Sequence, residues 1–322
     1  MTWRASRRDA LRLAIGALAM SAGRALAQTR QIRIAHLSWF RTHRGALLAE
    51  KLRAIGYDAG RNVEISDFVA DGDPGRAAEL AAGIVGSGVD LIVTSATPAA
   101  LAAKRATTTI PIVAMLADPL ASGVVSNLSR PGGNVTGFST ASTDLAPKRI
   151  ELAREIMPSM ASMAFLGSSR DPNGRVFGER TVAAGRQLGI DVPTVFIADP
   201  GEIEGAIGRA RATGAQALTV QPLFVDEALR IVEAARPLGL PVFSDQREFA
   251  VAGAIVALGT DNDAQTTGVA DYIRRILDGA DPGELPFQQV DRHVLVINRR
   301  SATSLGLAIP PSVLIRADEV IE

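Results

Sequence analysis

Only three histidines, His36, His43 and His293, offer a side chain that exchanges a proton near neutral pH, and the first two lie seven residues apart. Such a pair could serve a metal ion, or act with Asp118 as a general base. No third ligand stands at metal-binding spacing, so a hydrogen-bonding role is the expectation for both. Gly137-Phe138-Ser139-Thr140-Ala141 resembles part of a nucleophile elbow but lacks its second glycine. The phosphate loop G-x-x-x-x-G-K-[ST], a G-x-G-x-x-G after the first apolar stretch, and H-E-x-x-H are all missing. With no cysteine there is no thiolate nucleophile, thiolate metal site or disulfide. The pattern predicts capture of a ligand without chemical change, with no cofactor and no metal. An exported α/β hydrolase-type enzyme using His36 or His43 is the alternative.

The polar residues that could capture a ligand cluster just after short apolar stretches. In Thr94-Ser95-Ala96-Thr97-Pro98, hydroxyls precede a proline-started helix whose first N–H groups have no partner within it. Ser95 and Thr97 there form either a seat for a carboxylate or small anion, or a plain helix cap. Ser38 and Trp39 follow the first apolar stretch, and Trp39 is either an apolar wall for a ligand or a domain-interface residue. Asp118, before Pro119, could accept hydrogen bonds from a ligand ammonium or simply shape an Asp-Pro turn. Ser139 ends the fifth stretch. Further along, Ser169 and Asn173, Gln221 and Phe224, and Asp245 occupy equivalent ends, so that two sets of loops could close on a small polar ligand.

These loops need strands to carry them. Extended stretches are predicted over residues 32–37, 62–68, 89–95, 110–116 and 134–139, separated by Ala-rich helical spacing at 75–85 and 99–105 and followed by a helix over 145–157. The rhythm then repeats, with strands at 162–167, 192–198, 217–221, 241–245 and 254–259 and helices near 174–188, 202–211 and 226–237. Two successive βα sets predict an α/β chain of two doubly wound parallel-sheet lobes joined by a hinge. The tail adds a helix at 264–277, expected to return to the first lobe, an extended stretch at 288–298, then a segment at 302–305 and a Pro310-Pro311 turn. The expected division is 28–139 plus about 262–285 for the first lobe, and 140–261 plus about 286–322 for the second.

Residues 1–27 have the form of a removable export signal: Ser6-Arg7-Arg8 with Leu11, an apolar segment at 13–22, and Ala25-Leu26-Ala27 before Gln28. The paired arginines resemble the twin-arginine type. Of the 322 residues, 34 are basic and 34 acidic. Five arginines and one aspartate fall within residues 1–27, so the remainder holds 29 basic and 33 acidic side chains, a net charge of −4. A mildly acidic chain has no general electrostatic attraction for nucleic acid. With no cysteine to lipidate and no second long apolar span, a soluble monomer free in a periplasm-like space is expected, without a membrane anchor.

Residues 89–118 (VDLIVTSATPAALAAKRATTTIPIVAMLAD), continuing through Ser122-Gly123-Val124-Val125, Leu128 and Arg130-Pro131-Gly132-Gly133-Asn134-Val135-Thr136-Gly137, resemble the substrate-binding proteins of ABC transporters of the tryptophan/tyrosine-binding, TrpX-like type. Gly56-Tyr57, Lys148-Arg149-Ile150-Glu151-Leu152, Arg247-Glu248-Phe249, Ile309-Pro310-Pro311-Ser312-Val313-Leu314 and Ala317-Asp318-Glu319-Val320-Ile321 extend the resemblance over nearly the whole chain after residue 27. It implies a type I periplasmic-binding-protein fold, a ligand held in the cleft, and delivery to a membrane permease driven by a cytoplasmic ATPase. A ligand sensor for a membrane receptor shares that fold. Arg170-Asp171-Pro172-Asn173 replaces the family's N-P-x-N-like segment, and Ser244-Asp245-Gln246 stands where an aromatic is usual. These departures make the second-lobe wall more polar and point to a small amino-acid-like or organic anionic ligand.

Overall fold

The computed structural model describes residues 31–41, 44–140 and 142–322. The export signal and its cleavage site, His43 and Ala141 lie outside the described residues. The chain forms two sheets. The first holds β1 (Ile32–Ser38), β2 (Val63–Val69), β3 (Leu91–Ser95), β4 (Ile112–Leu116), β5 (Val135–Ser139) and the two-residue β11 (Gln288–Gln289), in the order β11-β5-β4-β3-β1-β2. The second holds β6 (Met163–Ser168), β7 (Thr194–Ile197), β8 (Ala217–Val220), β9 (Val242–Ser244), β10 (Val256–Thr260), β12 (His293–Asn298) and β13 (Glu319–Ile321), in the order β13-β12-β10-β9-β8-β6-β7. All described pairings are parallel except β10 with β12. Helices cover both faces, which is why β3, β4 and β6 are buried along their whole length and read as continuous apolar runs.

In the first lobe, Ala35, Leu37, Ile92 and Ala114 pack under α2 (Pro74–Gly86) and α3 (Thr97–Ala106). Ile34, Val93, Val113 and Phe138 pack on the other face, under α1 (Arg44–Ala54) and α9 (Asn262–Leu277). Helix starts follow local chemistry. Asp73 accepts from Arg76 N at 2.7 Å ahead of Pro74, and Asp171 accepts from Asn173 N at 3.0 Å ahead of Pro172, opening α5 (Pro172–Leu188). The second lobe adds α4 (Ala146–Ile156), α6 (Ile203–Ala212), α7 (Ala228–Ala235), α8 (Arg247–Ala252), α10 (Arg299–Ser304) and α11 (Pro311–Leu314).

The chain passes between the sheets three times: after β5, between β10 and α9, and between β11 and β12. The extended stretch predicted at 288–298 is therefore two strands. Gln288–Gln289 pair with β5, so the last crossing falls beyond Gln289 rather than at 285/286. The crossing segments bond to one another: Thr260 Oγ1 donates to Thr140 O at 2.7 Å, Val290 N to Ser139 O at 3.2 Å, and Asp261 N to Arg292 O at 3.0 Å. Beyond the first crossing back, α9 seats Tyr272 against Phe138, with ring centroids 4.8 Å apart.

Candidate functional site

A cavity of about 120 Å³ lies between the lobes at the carboxyl ends of the strands. The first lobe contributes Trp39 and Phe40 after β1, Arg44 from the start of α1, and Ser95, Ala96 and Thr97 at the junction of β3 and α3. The second contributes Asp171 and Asn173 after β6, Phe177 one turn further along α5, Gln221 after β8, and Gln246 after β9. Parallel strands bring these segments together because every βα loop emerges at the same sheet end.

Its walls have distinct chemistry. Trp39 is 1% exposed and meets Phe40 edge-on, ring centroids 6.2 Å apart, while Phe177 adds a third ring from the other lobe. Arg44 is the cation. Its guanidinium donates to Gln265 Oε1 at 2.7 Å and Asn262 Oδ1 at 2.9 Å, and burial pulls its pKa down against the opposing fields of Glu248 and Asp245. Asp171 is the anion. It accepts from Asn173 N at 3.0 Å and Gln221 Nε2 at 2.5 Å, yet burial outweighs both bonds and pushes its carboxyl from 3.8 up to about 6. Across the cleft, Asn173 Nδ2 donates to Thr97 Oγ1 at 2.7 Å, leaving Asn173 Oδ1 buried without a partner.

The turn from β3 into α3 is strained. Ala96 has φ 77° and ψ 155°, a region that side chains other than glycine's rarely enter. It lets Ser95 and Thr97 both line the cavity.

Five of the sequence-predicted residues meet at this cavity: Trp39, Ser95, Thr97, Asn173 and Gln221. The other six lie off its wall. Ser38 Oγ donates to Phe68 O at 3.3 Å, Ser139 Oγ to Ala117 O at 2.6 Å, and Ser169 Oγ to Ile197 O at 3.1 Å. Phe224 is packed in the second-lobe core. Asp118 accepts from Leu120 N and Ala121 N in its own turn and lies 3.8 Å from Arg180 across the cleft. Asp245 is buried behind the wall, hydrogen-bonded to Ser142 Oγ, its pKa raised by burial against the field of Arg149. Sequence reasoning did not single out Arg44, Asp171, Phe177 or Gln246 as ligand residues. Arg44 was hidden because its helix was not anticipated. Phe177 was recoverable: it stands four residues after Asn173, and α5 begins at Pro172, so the two share one face of that helix. Asp118, expected to act with His36 or His43 in the enzyme alternative, does not bond to His36, which bonds to Asp67 and Ser95 instead. Among the described residues, no group of three His, Cys, Asp or Glu side chains could hold a metal, and no helix is long and apolar enough to cross a membrane.

Two doubly wound lobes, three crossings between them and a cavity at the facing strand ends define a two-lobed solute-binding protein of the periplasmic type. Residues 32–321 match the model of the ABC transporter substrate binding protein family, and the chain belongs to that family. It is 25% identical over 279 residues to a tyrosine-binding protein of Clostridioides difficile, covering 85% of this chain and 79% of that one. A conserved domain protein of Vibrio cholerae superposes with a TM-score of 0.86 at 30% identity, over 90% of this chain and 100% of the other. An ABC domain from Streptococcus pneumonia in complex with L-Trp gives a TM-score of 0.84 at 26% identity, with the same coverage of both chains.

Proposed function

We propose that the protein captures an α-amino acid with an aromatic or bulky apolar side chain and delivers it to an ABC permease driven by a cytoplasmic ATPase. The observation that carries this reading is the cavity's polarity: Arg44 on one lobe and Asp171 on the other offer opposite charges to a zwitterion, between the rings of Trp39, Phe40 and Phe177. The tyrosine-binding relative and the L-Trp complex support the same class of ligand. An organic anion would leave Asp171 as a buried carboxylate facing a second one, which is unfavourable. On this reading residues 1–27 are a twin-arginine export signal removed after Ala27. The first lobe then comprises 28–139 with 262–289, the second 140–261 with 290–322, and the protein acts outside the cytoplasm as a monomer.

With Trp3 removed alongside that signal, Trp39 is the single tryptophan left, so its fluorescence reports on the cavity directly. With excitation selective for the indole ring, titration of L-tyrosine and other amino acids that lack an indole should change its emission. In a thermal-shift series, a true ligand at a hundred times its Kd stabilises by about 2.7 kcal/mol. Shifts with organic acids, purines or sugars and none with amino acids would overturn the reading. One observation favours a second reading: Ser95, His36 and Asp67 are bonded in the order of a serine hydrolase triad. Turnover of p-nitrophenyl acetate that is lost in Ser95→Ala would establish it, and binding without turnover would reject it.

A further inference from the structure

Ser95 ends β3 at the cavity wall, and its Oγ lies 2.8 Å from Nε2 of His36. Nδ1 of the same ring lies 2.7 Å from Asp67 Oδ1, His36 and Asp67 standing opposite each other in the register of β1 and β2. His36 is 2% exposed, so its ring nitrogens have these two partners. An ionised carboxylate only accepts, so the hydrogen between Asp67 and the ring belongs to Nδ1. In the neutral ring Nε2 is then a bare lone pair, and it takes the one hydrogen that the Ser95 hydroxyl has. With that hydrogen directed inward, Ser95 can present only lone pairs to the cavity. Gly45 in α1 secures the arrangement: a Cβ there would come within 2.2 Å of Asp67 Oδ1, in the space the carboxylate occupies.

We propose that Asp67 and His36 act as positioning residues that fix Ser95 as an acceptor for the ammonium group of the bound amino acid. Two residues of the cavity wall on the other lobe carry further acceptors: Asn173, whose Oδ1 is buried without a partner, and Asp171 with its carboxylate. An alkylammonium has three N–H donors, and three acceptors from both lobes match that number. The assignment reverses the expectation that Ser95 donates to a bound anion and leaves the ligand carboxylate to Arg44. It rests on the amino-acid reading above, but its polarity half is testable without any ligand.

Asp67→Asn is the deciding variant: with its amide nitrogen toward the ring it donates to Nδ1, which places the ring hydrogen on Nε2 and turns the Ser95 hydroxyl outward as a donor. Asp67 does not line the cavity, so no ligand contact is removed. Long-range ¹H–¹⁵N NMR should place the His36 hydrogen on Nδ1 in the wild type and on Nε2 in the variant. Calorimetry should show at least a tenfold loss of affinity for L-tryptophan or L-tyrosine. The matching desamino acids, indole-3-propionate and 3-(4-hydroxyphenyl)propionate, should bind more weakly to the wild type and change less than twofold on mutation. A wild-type hydrogen on Nε2, equal losses for both ligand types, or unchanged affinity despite the tautomer change would each overturn the proposal. Wild-type protein that shows the Nδ1 hydrogen yet binds neither amino acid would instead overturn the amino-acid reading, and with it the role given to Ser95. Should Asp67→Asn fail to fold, Gly45→Ala displaces the carboxylate while improving helix propensity, and a smaller loss with the same ligand selectivity is expected.

Discussion

Asp171 holds a carboxyl at about 6, against an ordinary 3.8, because its site is buried; the hydrogen bonds from Asn173 N and Gln221 Nε2 offset only part of that. Between those two values the ligand-free folded state keeps a proton that the unfolded chain has lost. Stability attributable to this group therefore falls as pH rises through the window, and the full cost, roughly 3 kcal/mol, is present above pH 6. A ligand ammonium beside Asp171 relieves that cost. Two outcomes follow from the same sign. In urea melts of ligand-free protein, Asp171→Asn should gain on the wild type between pH 4 and pH 8 by an amount of that order. Amino-acid affinity in the wild type should fall as pH drops below about 6, with a proton released on binding that calorimetry in buffers of different ionisation enthalpy would count. A stability difference that does not vary with pH would mean that Asp171 titrates like a solvated carboxylate. Strain at Ala96 is of the same kind, a local instability held at the site by the strand and helix on either side.

Elements buried on both sides were legible from the chain alone. Val89 to Ser95 and Ile110 to Leu116 are β-branched runs closed by Thr97-Pro98 and Asp118-Pro119, and period, length and punctuation agree there. Helix α1 was not legible. Only Gly45, Leu48 and Leu52 of it are buried, and Arg44, Lys51 and Arg53 dilute the apolar spacing that marks an amphipathic helix. Its loss from the reading removed Arg44 from the site. Sequence pattern also could not show that Ser139, Asp118 and Ser169 direct their polar atoms to neighbouring backbone, since a strand-end serine looks the same whether it faces a ligand or a carbonyl. Close packing between elements separates two glycines that are equivalent in sequence. A Cβ at Gly45 meets the movable tip of Asp67, whereas one at Gly259 in β10 would lie 1.8 Å from the backbone oxygen of Asp245. Gly259→Ala must push β9 and β10 apart beside the hinge. It should lower stability by about 2 kcal/mol or more in denaturant melts, while Gly45→Ala leaves stability nearly unchanged; equal effects would remove this distinction.

At the scale of the whole molecule few direct bonds bridge the two lobes, which suits a protein that must open and close. Asn173 reaches Thr97, and Arg180 in α5 reaches Asp118 beyond β4 at 3.8 Å while also bonding Asp144 at 2.5 Å. Arg180 is half exposed and does not line the cavity, so its removal tests closure without touching the ligand. An exposed pair of this kind contributes about 0–1 kcal/mol and weakens with salt. If only the closed form retains the ligand, apparent affinity falls in proportion to the closed fraction, whatever the ligand. Arg180→Ala should therefore weaken L-tryptophan and indole-3-propionate by the same factor, up to about fivefold, in contrast to the ligand-selective loss expected for Asp67→Asn. Ligand-free Arg180→Ala should also scatter with a larger radius of gyration than the wild type, and the two should converge at saturating ligand. Raising the ionic strength should bring the wild type toward the variant. Identical scattering together with identical affinities at low salt would place the control of closure in the three crossing segments and the Asn173–Thr97 bond, with the Arg180–Asp118 pair a consequence of closure and not a cause.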